Sequence, residues 1–205
     1  MKEEEDIFRV TDSNDNFETW IAKDFVSDNT RNSLRQASIL LIPTIGFRSN
    51  NEPTFPAGTE EFLEYFKERL PDNLIIDICV DDEKYLELAL HSDYKRIGKF
   101  LVSTVALSVF LNVFSSYIYD KVIKEEESRP TIQIINNIDN STHDTIIVNP
   151  SNAAPKKYLQ PSKVKFTITV VDSSGVSKDF HYEGPAKDVK QVTEQIKEFW
   201  KNDNK

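Results

Sequence analysis

Two polar clusters, each following an apolar run, hold the side chains best suited to chemistry. "ASILLIPTIGF" runs into Arg48, Ser49, Asn50 and Asn51, and "NLIIDICV" runs into Asp81, Asp82 and Glu83. If both runs are parallel strands, these residues lie beyond the strands' carboxyl ends, where open α/β sheets bind ligands. Arg48 and Asn50 opposite Asp81 and Asp82 would form a site for a small polar ligand, or for a divalent cation held by oxygens. The same residues have a plainer reading, in which Asp81 and Asp82 cap a following helix and Arg48 pairs with them. That reading carries more weight.

Nothing else in the chain points to catalysis. His91, His143 and His181 are widely spaced and share no metal-ligand pattern. Cys79, flanked by Ile78 and Val80, reads as a core filler rather than a nucleophile. The five glycines form no phosphate-binding loop. The expectation is a non-catalytic protein with no cofactor and no metal centre. A metal- or ligand-dependent enzyme at the strand ends is the alternative.

The elements that would position the strand-end cluster are a strand over about residues 39–45, a helix in "TEEFLEYFKERLP" and a strand in "NLIIDICV". Thr59 is a candidate N-cap, Glu60 and Glu61 suit the first turn, and Pro71 follows the end. Strand, helix, strand is the order of a βαβ unit, whose strands are parallel. Before it, "IFRV" reads as a short strand and "NFETWIAKDF" as a short helix. After it, "DDEKYLELALHSDYKRIGK" reads as helical from Asp81 or Asp82.

Residues 100–119, "FLVSTVALSVFLNVFSSYIY", are the one long uncharged run. About 20 such residues span the hydrocarbon core as a helix. At about 100° per residue, Thr104, Ser108, Asn112, Ser115 and Ser116 fall on one third of the helix surface, with Val102, Phe110, Val113 and Phe114 opposite. A row of small polar residues lets helices approach closely in lipid. A helix buried in a soluble core is also apolar nearly all round. Both readings stand: a membrane anchor or self-assembly helix, and a core helix.

Composition bears on the choice of partner. The net charge is −9, and residues 1–99 carry 21 acidic against 12 basic side chains, whereas residues 100–205 carry 13 of each. Phosphate recognition needs clustered cations, and the nearest to a cluster, Lys156, Lys157, Lys163 and Lys165 around a proline-containing loop, reads as a solvated edge, so nucleic acid is not an expected partner. "MKEEEDIF" lacks the basic and apolar regions of a signal peptide, and one cysteine allows no internal disulfide. A cytoplasmic location follows as the expectation, with the chain held at the cytoplasmic side of a membrane if the helix inserts.

The last third changes texture. "TIQIINNI" and "DTIIVNP" read as strands. "VKFTITVVD" alternates Val164, Phe166, Ile168 and Val170 with Lys165, Thr167 and Thr169, and "VSKDFHYE" pairs back across Ser173-Ser174-Gly175. A final helix follows, with Val189, Val192, Ile196 and Phe199 at helical spacing. The expected organisation is an acidic α/β domain with a βαβ unit (1–96), a long hydrophobic central helix (97–124), a linker (125–130) and a small α+β module (131–205) made of an antiparallel meander and one helix. The expected partner is a protein, or a second copy bound through the central helix.

Overall fold

The computed structural model describes residues 7–46, 52–89, 94–124 and 162–203. The strands are β1 (Ile7–Ser13), β2 (Ile39–Ile42), β3 (Phe55–Pro56), β4 (Ile76–Ile78), β5 (Glu87–Leu88), β6 (Tyr94–Ser103), β7 (Lys163–Val171) and β8 (Ser177–Pro185). The helices are α1 (Phe17–Ile21), α2 (Asp28–Leu34), α3 (Thr59–Lys67), α4 (Thr104–Ile118) and α5 (Val189–Asp203).

The βαβ unit is present. β2 and β4 pair in parallel, Ile39 beside Ile76 and Leu41 beside Ile78, with α3 between them in sequence. They belong to a six-stranded mixed sheet of order β1-β8-β7-β6-β2-β4. Its second parallel pair is β6 with β7; all other pairs in the sheet are antiparallel. The sheet therefore takes strands from before and after residue 97, where charge and hydropathy change.

The long apolar run is not one helix. Its first four residues, Phe100 to Ser103, end β6, and α4 begins at Thr104. β6 is central, between β2 and β7, so Phe100, Leu101 and Val102 are buried on alternate faces. A strand covered on both sides reads as a continuous apolar run, which periodicity cannot separate from a buried helix. α4 continues past Ile118 as a π-helical turn, Tyr119–Ile123, that carries Asp120 and Lys121, so its uncharged 15 residues, at about 1.5 Å each, fall short of a roughly 30 Å hydrocarbon core. No helix among the described residues is long and apolar enough to cross a membrane.

The helix expected from residue 82 is also replaced. Asp82–Lys84 is a single 3-10 turn, and β5 and β6 follow. Gly98 sits at a register shift in β6 with φ of +135°, a backbone conformation that side chains disfavour. The bulge it permits lets Ile97 join the core while Arg96 and Lys99 keep their pairing with β7.

Alternation along the strands splits the sheet's apolar residues between two clusters. Ile39, Leu41, Phe100, Val102, Phe166, Ile168 and Phe180 face α3, α4 and α5. Leu40, Ile42, Leu101 and Val171 face Trp20, Ile21, Val26 and Leu34 of the α1–α2 segment. The β7–β8 hairpin and α5 form as the alternation predicts, except that Trp200 rather than Phe199 is the buried aromatic of the last turns. The two strands expected before residue 150 lie outside the described residues.

Candidate functional site

A cleft of about 520 Å³ opens beside the carboxyl end of β4, lined by Asn29, Thr30, Glu60, Lys67, Asp77, Asp82 and Tyr85, among others. This is where the strand-end site was expected. Of the residues expected there, Arg48 and Asn50 lie outside the described residues. Asp82 lines the cleft.

Asp81 does something else. Its carboxylate accepts hydrogen bonds from the Ser27 backbone N–H at 2.9 Å and from the Thr30 hydroxyl at 2.6 Å, with the Lys84 ammonium at 3.3 Å. The bonds from Thr30 and Ser27 hold its pKa far below the usual carboxylate range. Asp81 therefore does not cap a helix of its own. It secures the start of α2, which lies more than fifty residues earlier in the chain, and so ties the α1–α2 layer to the sheet.

Glu87 plays the same part for α3. Its carboxylate accepts from the backbone N–H of Gly58 at 2.8 Å and of Glu60 at 2.9 Å, and from the Tyr85 hydroxyl at 2.5 Å. Burial raises its pKa, but the bonds from Tyr85, Glu60 and Gly58 outweigh that and leave it lowered. The positive end of α3 is thus already matched by an internal carboxylate. Gly58, at φ +88°, is the N-cap rather than Thr59, whose hydroxyl donates to the Pro56 carbonyl at 2.7 Å.

The cleft keeps three carboxylates, Glu60, Asp77 and Asp82, against one ammonium, Lys67. Such a lining suits a cation or a hydroxylated molecule better than a phosphate. Among the described residues, no group of three or more His, Cys, Asp or Glu side chains is arranged to hold a metal ion. Cys79 is fully buried, and desolvation, with the Asp77 charge adding to it, pushes its thiol up to about 12. The thiolate that nucleophilic chemistry requires is therefore suppressed.

The polar arc of α4 is where helical projection put it. Ala106, Leu107, Phe110, Leu111, Phe114, Tyr117 and Ile118 are buried on one side. On the other, Ser108, Asn112 and Ser116 are exposed, and Thr104 and Ser115 are half-buried. α5 already occupies part of this arc. The hydroxyls of Ser115 and Thr193 are hydrogen-bonded at 2.8 Å, and the Lys197 ammonium donates to the Asn112 side-chain oxygen at 2.7 Å. Ser116 bonds back to the Asn112 carbonyl of its own helix at 3.1 Å.

Sequence reasoning did not single out the open part of the sheet's second face. α1 and α2 cover that face at its β2 end, through Leu40, Ile42 and Leu101. Toward β8 and β1 it carries Lys99, Thr167, His181 and Arg9 in a row across four strands. The Thr167 hydroxyl and His181 Nδ1 are hydrogen-bonded at 3.1 Å. Burial and the nearby Lys165 lower the His181 pKa, partly offset by Glu183, with Arg9 and Lys99 lowering it further. The alternation of Lys165, Thr167 and Thr169 in β7 was the available signal for this face. Its partners in β1 and β6 could not be assigned without the pairing.

No known protein family, curated protein or solved structure matches the chain.

Proposed function

We propose that the chain is a non-catalytic interaction module in which α4 is a core helix rather than an anchor. The carrying observation is the use made of two carboxylates that follow β4: Asp81 and Glu87 are each bound to the start of a helix. Both groups stabilise the fold, and neither is left to activate a substrate. The burial of seven α4 side chains supports the core-helix reading. Self-association through the α4 arc has less support, because Lys197 and Thr193 of α5 already engage Asn112 and Ser115.

A second reading rests on the cleft, whose acidic lining suits a small cationic or hydroxylated ligand. A thermal-shift panel of Mg²⁺, Mn²⁺, Ca²⁺, polyamines, amino acids and sugars separates the two. The interaction reading expects no saturable shift. A saturable shift that is lost in Asp82→Asn or Glu60→Gln would put a ligand in the cleft and overturn it.

A further inference from the structure

We propose that the open half of the sheet's second face binds an acidic stretch of polypeptide; this rests on reading the chain as an interaction module. Strand register sets the array. Lys99 is opposite Thr167, Thr167 opposite His181, and His181 opposite Arg9. In the adjacent row Arg96 is opposite Lys165, and Lys165 opposite Glu183. Residues directly opposite each other project from the same face.

Four permanent cations thus share one face of a protein whose net charge is −9. Lys165 is already matched, its ammonium 2.6 Å from the Glu183 carboxylate. Among the described residues, Arg9, Arg96 and Lys99 have no carboxylate within ion-pair distance. A chain this acidic gains no general affinity for anions, so a confined group of unmatched cations selects an anionic partner locally.

Spacing and chemistry favour polypeptide among anionic partners. Lys99 and Arg9 are three strand spacings apart, roughly 14 Å at about 4.8 Å each. An extended peptide advances about 3.3 Å per residue, so acidic residues four apart point to the same side and reach both cations. The Thr167–His181 pair lies between them and offers hydrogen bonds to the peptide. A nucleic-acid backbone would bring continuous negative charge onto Asp179 and Glu183, which share this face. The paired positions from Lys99 to Arg9 also provide no Phe, Tyr or Trp on which bases stack.

The test uses the full chain and fluorescence anisotropy. The probes are a labelled Gly/Ser peptide carrying two glutamates four residues apart, its Glu→Gln counterpart, oligo-dT and phosphatidylserine vesicles. The glutamate peptide is expected to bind saturably and more weakly as salt rises. Affinity should fall about tenfold or more in the Arg9→Glu, Lys99→Glu double variant, and should hold in Lys67→Glu on the cleft. Arg9→Ala alone supplies the comparison if the double variant fails to melt like the parent. No binding of the glutamate peptide, binding unaffected by the substitutions, or tighter binding of oligo-dT or vesicles overturns the proposal. An unbound peptide together with a silent ligand panel removes the face but leaves the interaction reading. A ligand found in the cleft removes both.

Discussion

On one face of the sheet, Phe100, Phe166 and Phe180 from three neighbouring strands meet rings carried by the helices: Phe62 is 4.9 Å from Phe100 and Phe114 is 4.8 Å from Phe166. On the other face, adjacent positions of those strands offer Lys99, Thr167 and His181. Both faces come from the same alternation. Among the described residues they differ in what covers them: α3, α4 and α5 close the first, whereas α1 and α2 reach only part of the second. Packing therefore concentrates on the aromatic face, and the open half of the other face is free to present charge. On the proposal above, the first face carries stability and the second carries recognition.

The sharpest way to break that division is at Phe114, which is fully buried and has ring contacts with Phe62, Phe100, Phe110 and Phe166. Phe114→Ala should lower unfolding free energy by about 3–5 kcal/mol in urea titration. A loss below about 1 kcal/mol would mean that this face does not dominate.

The covered end of the second face depends on Asp81, and Asp81→Ala should cost about 1–3 kcal/mol by leaving the start of α2 without its acceptor. The sign of its pH dependence is fixed. Its folded pKa lies below the unfolded value of 3.8, so as pH falls the unfolded chain takes up the proton first. Its contribution is complete above that value and is lost as pH falls below it. Urea midpoints of Asp81→Asn should accordingly lose part of the parent's acid sensitivity. An unchanged acid profile would show that the carboxylate is not what ties α2 down.

The smallest effect belongs to the open half. Arg9→Ala should leave stability within about 0.5 kcal/mol of the parent by the same titration. A larger loss would mean that Arg9 supports the fold, and the division between stability and recognition would fail at its recognition end.

Local signals carried the sequence reading some way. The β2–α3–β4 unit was readable because its acidic first turn, apolar stripe and following proline all agree. The β7–β8 hairpin was readable because Val164 to Val170 alternate cleanly around a Ser-Ser-Gly turn. β6 was not, since its end is buried on both faces and loses the period of two that marks a strand. The role of Asp81 was hidden for a different reason. A carboxylate before a polar turn signals a local cap, and nothing in the sequence indicates that its partners are Ser27 and Thr30. The cationic face shares that difficulty, because Arg9, Lys99 and His181 become neighbours only through strand pairing.

That pairing also sets an order of events during folding. The Ser177 hydroxyl donates to the Ser13 carbonyl, 164 residues away along the chain, at the β1–β8 border. At about 5–20 residues per second, β1 waits roughly ten to thirty seconds on the ribosome before its partner exists. Ile7 and Phe8, which remain 37% and 36% exposed even in the finished sheet, are more open to solvent during that interval. The closure of so long a loop argues that β1 joins late in refolding as well. Pulse-labelled hydrogen exchange should show β1 amides gaining protection with or after those of β8. Protection of β1 ahead of β8 would require a different early partner. β1, made before the other five strands of its sheet, is then among the last of them to find its place, and a chaperone's cover would matter most for it.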